Sequence, residues 1–304
     1  MSTEARRLSA GIAAGLAAGA LWGLVFVLPR LVTGYSSVEV TLGRYAAYAV
    51  VSVTAMAWAW QRTRPHLRPT VLGAALLLGW LGNSVYYLLV VFAVRWAGTA
   101  LTGLIIGTIP LWLLLIGRPP GLKLARLAPG ALCTAAGLAL MHWSATHAGT
   151  GPRFWWGIGC AVAALASWTA YALLNASWMK RHPSLPNGVW TNLLGLATLL
   201  GLLPLLGLVE SPSPAAAERE AQWSLFLGVS LAMGLGASWV ATWLWNLASQ
   251  RLPTSLAGQL IVSETLFALA YGYAYEQRWP LALEWVAGAL FTSGIVWAIR
   301  HHRS

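Results

Sequence analysis

Apolar residues run through this chain in stretches of about 20, the length a helix needs to cross the hydrocarbon core of a bilayer. Short breaks rich in proline, glycine and charge separate them. A window of about 19 residues predicts ten helices, at 8–28, 38–60, 70–94, 98–116, 125–143, 154–178, 187–208, 223–249, 255–275 and 281–299. The breaks at Pro29-Arg30, Arg62-Thr-Arg-Pro65, Arg118-Pro-Pro-Gly121, Gly149-Thr-Gly-Pro152, His182-Pro-Ser-Leu-Pro186 and Ser211-Pro-Ser-Pro214 combine helix breakers with groups that resist burial in lipid. The joins around Trp96-Ala-Gly98 and Arg251-Leu-Pro253 are softer. The expected fold is all-α integral membrane, with ten transmembrane helices.

Composition agrees with the pattern. The 304 residues are 58% hydrophobic and 9% charged, with a mean hydropathy of +0.65, where soluble domains carry about 25% charged residues. Ten spans leave no room for a soluble domain, which excludes a globular enzyme on a membrane anchor. The net charge of +11 is spread in short tracts between apolar runs and not gathered into one basic surface, so no nucleic-acid partner is expected. Cys133 and Cys160 both lie inside apolar runs, too few for a disulfide framework or a zinc site. We expect no metal and no cofactor. The segment MSTEARRLSA leads into the first apolar run without a clear cleavage site, so a retained first span is expected.

Charge also orients the spans. With the N-terminus inside, the inner segments collect 13 of the 19 basic residues and the outer segments five, with Arg44 within a span. Positive residues resist translocation, which places both termini in the cytoplasm. Glu210, Glu218, Glu220, Glu276 and Glu284 fall outside, Glu39 sits at the outer edge of the second span, and there is no Asp. A multi-pass protein of the plasma membrane, the inner membrane in a bacterium, is the expected setting.

The chain also resembles itself. A shift of 155 positions aligns Leu72-Gly73 with Leu227-Gly228, Gly79 with Gly234, Leu89 with Leu244, Ala93 with Ala248, and Thr99, Leu101, Gly103 and Ile106 with Thr254, Leu256, Gly258 and Ile261. A shift of 146 pairs Gly11-Ile12 with Gly157-Ile158 and Trp22 with Trp168, and Gly130-Ala-Leu132 meets Gly288-Ala-Leu290. Three matches in order divide the chain into five-helix units, 1–148 and 149–304, within one membrane domain. An odd number of spans per unit inverts the second copy. Inverted repeats recur in secondary transporters, because exchanging the conformations of the halves opens one central site to either side.

The stretch Ala20-Leu-Trp-Gly-Leu-Val-Phe26, Arg44 in the second helix, the Gly103 to Pro110 segment and Ser263-Glu264 in the ninth helix resemble the EamA-type domain, present twice, of the drug/metabolite transporter superfamily. Size, Trp and Tyr richness and the 5+5 layout are similar to YddG-type aromatic amino-acid exporters. The resemblance implies a central cavity lined by helices 1, 3, 4, 6, 8 and 9, with helices 5 and 10 as outer supports. Thr265 replaces the usual proline after the ninth-helix Glu while Pro110 is kept in the first half, so a kink in the ninth helix is not assured.

Nineteen tryptophans serve two roles. Trp58, Trp60, Trp80, Trp96, Trp143, Trp155, Trp156, Trp223, Trp279 and Trp297 suit the headgroup belt. Trp22, Trp168, Trp239, Trp243 and Trp245 lie deeper, as core packing or as cavity wall. In the third helix Asn83, Tyr86 and Tyr87 share a face, mirrored in the eighth by Ser238, Thr242 and Trp245 with Asn246 beside them. Tyr171 and Asn175 extend the stripe that begins at Trp168. Each of these polar groups suits either a solute or a helix–helix hydrogen bond.

Aromatic faces attract an ammonium group by roughly 0.5 to 2 kcal/mol, while hydroxyls, amides and backbone N–H groups suit a carboxylate. The candidate ligand is therefore a zwitterionic amino acid, aromatic or large and neutral, with a flat organic cation as the alternative. Glu264, the one acid well inside a span, is a candidate for proton coupling or ammonium binding, or a neutral Glu bonded between helices. Arg44, about 10 Å below the outer surface at 1.5 Å per residue, either pairs with Glu39 or caps carbonyls. His142 and His147 lie too near the boundary for a relay. A membrane enzyme is disfavoured, because metal-dependent phosphate chemistry and intramembrane aspartyl proteolysis use paired Asp, and a scaffold is the remaining rival. Oligomeric state is open, since Gly130, Gly137, Gly288 and Gly294 suit packing against a second copy or against their own bundle.

Overall fold

The computed structural model describes residues 3–97, 99–118, 121–143, 152–202, 206–207 and 216–303. His147, Glu210 and the Ser211–Pro214 break lie outside the described residues, as do the side chains of His142, Trp143 and Glu218. The described chain is helical throughout. We label α1 (Thr3–Gly23), α2 (Ser37–Trp58), α3 (Pro69–Ala97), α4 (Thr99–Gly107 and Ile109–Ile116), α5 (Leu124–Trp143), α6 (Phe154–Arg181), α7 (Asn187–Leu200), α8 (Trp223–Arg251), α9 (Thr254–Leu260 and Val262–Glu276) and α10 (Ala282–Arg303). Among the described residues, α1 with its 3-10 extension, α2, α3, α6, α8 and α10 are each long and apolar enough to cross a membrane. The remaining four are shorter or interrupted.

Local chemistry sets the boundaries. Ser36 caps α2 reciprocally with Glu39, satisfying orphan N–H groups of the first turn. Pro69 opens α3, where its missing N–H costs nothing. Gln277, with φ of 51°, turns the chain left-handed after α9. Two 3-10 turns, Leu24–Phe26 and Leu28–Leu31, prolong α1. α7 closes at Leu200, short of the expected 208.

Both α4 and α9 break in mid-course. α4 breaks at Thr108, just before Pro110, where Thr108 N–H reaches Ile105 O at 3.2 Å. α9 breaks at Ile261 without any proline: Ile261 N–H bonds Gly258 O at 3.2 Å and Glu264 N–H bonds Ile261 O at 2.9 Å, tightening one turn. Thr265 therefore does not straighten the ninth helix.

α3 and α8 each contain a π turn, Trp80–Ser84 and Met233–Val240. A π turn frees carbonyls from the helical ladder, and side chains of neighbouring helices collect them. Ser167 of α6 donates to Leu81 O at 2.7 Å, and Arg44 of α2 donates to Ala237 O at 3.0 Å.

The helices pack reciprocally. α1 lies on α8 and α9, and α6 lies on α3 and α4; α2 lies on α7 and α8, and α7 on α2 and α3; α4 meets α9 and α5 meets α10. Small residues permit the close crossings. A Cβ added at Gly11 would come within 2.7 Å of Leu252, and one at Gly157 within 2.8 Å of the Ala97 Cβ. Gly130 and Gly294 oppose each other across α5 and α10, and Gly137 meets Phe291, so these three glycines pack within their own bundle.

Candidate functional site

The deep tryptophans converge where α1, α6 and α8 meet. The ring centroids of Trp22 and Trp168 are 6.4 Å apart in an edge-on arrangement, and Trp245 lies 5.6 Å from Trp22 and 5.9 Å from Trp168. Tyr171 adds a further edge contact to Trp168 at 5.8 Å. Trp245 is fully buried with its indole N–H unpartnered, while Trp22 and Trp168 are half-buried. Trp245 is thus the packed member of the cluster, while Trp22 and Trp168 each keep part of their surface exposed.

Beside it, a polar network joins α6, α7 and α8. Asn175 Nδ2 donates to Asn246 Oδ1 at 2.8 Å, Trp190 Nε1 donates to Asn175 Oδ1 at 2.8 Å, and Asn246 Nδ2 donates to Thr191 Oγ1 at 3.2 Å. Of the two readings open for Asn175 and Asn246, the helix–helix bond is the one formed. Trp239 likewise donates to Asn192 Oδ1 at 2.6 Å. Thr41 donates to the Tyr87 hydroxyl at 2.7 Å. Thr242 is buried beside Tyr48, and Trp243, half-buried, lends its carbonyl to Asn187 Nδ2 at 2.7 Å.

Asn83 and Tyr86 differ from these. Both are half-buried on α3, at and just after its π turn, and among the described residues neither side chain has a hydrogen-bond partner. Glu264, half-buried in α9, lies within Coulombic reach of both Tyr86 and Arg44. α1 packs closely on this turn: a Cβ at Gly19 would fall on Ser263 Oγ and 3.1 Å from Glu264 N.

Arg44 anchors α2 to α8, its Nε donating to Ser238 Oγ at 2.8 Å beside the bond to Ala237 O. The pairing with Glu39 does not form, because Arg219 takes Glu39 Oε1 at 2.7 Å. Carbonyl capping, the other anchor open to Arg44, is what the geometry provides.

Trp190, Thr191 and Tyr48 escaped the sequence reading. Trp190 is fully buried although it stands in the first turn of α7, where an indole reads as a belt residue. Trp58, Trp155, Trp156 and Trp279 are strongly exposed, as belt indoles are.

A cavity of about 680 Å³ opens elsewhere, where α1 begins, α4, α6 and α8 end and α9 begins. None of the aromatic or amide candidates lines it.

Residues 9–119 match the EamA-like transporter family. The inner membrane protein YtfF of Escherichia coli (strain K12) is similar along nearly the whole chain, 32% identical over 307 residues and covering 95% of each protein. This chain belongs to the EamA-like transporter family. A protein of known crystal structure superposes on 97% of this chain and 98% of its own with a TM-score of 0.77 at 21% identity, which establishes a shared fold. Membership makes this a multi-pass membrane transporter of the drug/metabolite superfamily, with a small-molecule substrate and the bilayer as its solvent.

Proposed function

We propose that the protein is a secondary transporter of the bacterial inner membrane that exports zwitterionic amino acids, aromatic or large and neutral, by alternating access. Ten crossings form two inverted five-helix repeats, 1–148 and 149–304, with both termini cytoplasmic. Reciprocal packing supports the repeat. Gly11 and Gly157 correspond under the shift of 146, and the residues they meet, Leu252 and Ala97, correspond under the shift of 155. A two-fold axis in the membrane plane has that consequence.

The observation that carries the site is the indole cluster of Trp22, Trp168 and Trp245, drawn from both repeats. It faces helices whose Asn83, Tyr86 and Glu264 keep polar groups free of helix–helix bonds. Stacking on the indoles contributes about 0.5 to 1.5 kcal/mol beyond burial, the Glu264 carboxylate suits the ammonium group, and Asn83 and Tyr86 suit the carboxylate. Tyr87, Trp239, Thr242 and Trp243 complete the proposed substrate site, and Asn175 and Asn246 hold its frame.

Proteoliposomes loaded with unlabelled phenylalanine should accumulate labelled phenylalanine by counterflow, saturably and in competition with other large neutral amino acids. Glu264→Gln should abolish the pH dependence of flux. Flux of a lipophilic dication without phenylalanine counterflow favours the organic-cation reading, for which Glu264 within Coulombic reach of Tyr86 is the supporting observation; unchanged pH dependence in the variant removes Glu264 from coupling.

A further inference from the structure

The cavity at the end of the bundle is lined by four cations, Arg7, Arg118, Lys180 and Arg251. They come from the start of α1, the residue after Gly117 at the end of α4, the end of α6 and the end of α8. No acid lines it, and among the described residues none of the four has a carboxylate partner. Arg7 Nη2 donates only to the Gln250 carbonyl, at 3.3 Å. Arg7 and Lys180 are within Coulombic reach of each other. At the opposite end of the bundle Arg30, Arg219 and Arg278 each pair with a glutamate. Four like charges around one concavity repel each other unless an anion sits among them.

The lining also has an apolar part. Met179 and Leu252 reach the cavity and are otherwise fully buried. The site therefore suits a compact polyanion carried on a less polar body. Three guanidinium forks favour phosphate, which accepts parallel N–H bonds through several oxygens. Arg7 and Arg118 belong to the first half of the chain, Lys180 and Arg251 to the second, and the floor lies where the halves touch: Ser255 N–H donates to Gly117 O at 3.1 Å, and a Cβ at Gly117 would come within 2.9 Å of Thr254.

The structure assigns this cavity as a binding site for a phosphate-bearing anion, either the headgroup of an acidic phospholipid or a soluble phosphate, which bridges the two halves and holds this end of the bundle closed. Neutralising the four cations is what the anion contributes. Without it, their repulsion acts across the α4–α9 seam.

The test uses the purified full-length protein in uncharged detergent, with short-chain phosphatidylglycerol, short-chain phosphatidylcholine and inorganic phosphate as probes. Binding is read by native mass spectrometry and by the thermal midpoint of tryptophan fluorescence. Phosphatidylglycerol should bind saturably and raise the midpoint, and phosphatidylcholine should not. Lys180→Gln combined with Arg251→Gln should weaken binding by about tenfold or more for each charge–phosphate hydrogen bond lost. Arg118→Gln alone should weaken it from a third helix. Arg62→Gln with Arg64→Gln, equal in charge change but away from the cavity, should leave it unchanged. Saturable binding of inorganic phosphate with the same variant pattern supports the soluble source, and phosphatidylglycerol binding without it supports the lipid. Absence of saturable binding by either probe, or equal loss in the Arg62/Arg64 control, overturns the assignment.

Discussion

Asn246 is fully buried and has both sides of its amide engaged, accepting from Asn175 and donating to Thr191. Removing it strands the Asn175 N–H in a region without water, which costs about 1 to 3 kcal/mol, although hydrogen bonds between membrane helices average about 0.6 kcal/mol. Complete burial favours the upper part of that range. Asn246→Ala should therefore lower the thermal midpoint clearly while leaving the KM for counterflow within about twofold, a shift under about 0.5 kcal/mol by the factor-of-ten rule. A raised KM at unchanged stability would return Asn246 to the solute. At this scale the sequence was informative about depth and not about partners. Spacing along α3 and α6 picked out Asn83, Tyr86, Trp168 and Tyr171 as one-faced stripes, because helical periodicity is local. Whether an inward amide meets a solute or another amide depends on which helix lies opposite, which no single helix encodes. Trp190 illustrates the same limit: its place in the first turn reads as a belt position, and only the approach of α6, which brings Asn175 to its indole N–H and Trp178 to its ring face, shows it as a buried residue.

At the scale of the element, close crossings are set by missing side chains. Gly11, Gly15, Gly19 and Gly23 lie one turn apart on α1 and face Leu252, just after α8, and Leu260, Ser263 and Phe267 of α9. Gly73 of α3 has nothing within 4 Å of its missing Cβ. Alanine at Gly73 should be neutral or stabilising by up to about 1 kcal/mol through helix propensity. Alanine at Gly19 must displace the Ser263 hydroxyl or separate α1 from α9, an overpacking cost of about 1 to 3 kcal/mol. Thermal unfolding of Gly19→Ala and Gly73→Ala in the same detergent checks the contrast, and equal midpoints would mean that the α1–α9 crossing yields freely. Apart from the end of α7, helix positions were legible to within about five residues because apolar length and breakers are properties of composition. The α9 break was not, since it depends on a tightened turn at Ile261 with no proline to announce it. The π turns left no local mark either, and what keeps them is tertiary: Ser167 and Arg44 take up the carbonyls they release.

At the scale of the molecule, the two ends differ in how their charges are managed. One end carries Arg30 paired with Glu276, Arg278 bonded to Glu276 and Glu284, and Arg219 with Glu39. Its bonds to Glu284 and then Glu276 push the Arg278 guanidinium still further above its ordinary range. Solvent screens exposed pairs of this kind, so they register loops more than they stabilise the fold. The other end holds the unpaired cations of the 680 Å³ cavity. Uncompensated positive charge favours the cytoplasmic side, which supports the proposed orientation but does not by itself say how many helices cross. Six helices are long enough to span on their own, and the proposed repeat requires that α4, α5, α7 and α9 cross as well. The two topologies disagree at three connections, α4–α5, α7–α8 and α8–α9, and the first two carry convenient probe positions. With ten crossings, Lys123, between α4 and α5, is cytoplasmic and Glu220, between α7 and α8, is external; with only the six long helices crossing, both assignments reverse. Cys133 and Cys160 are half-buried, so they are replaced by Ser before Lys123→Cys and Glu220→Cys are introduced singly. A membrane-impermeant maleimide should label Glu220→Cys in intact cells and Lys123→Cys only after permeabilisation. The reverse pattern would confine the crossing to the six long helices, and two modules of five facing opposite ways could not then be built from this chain.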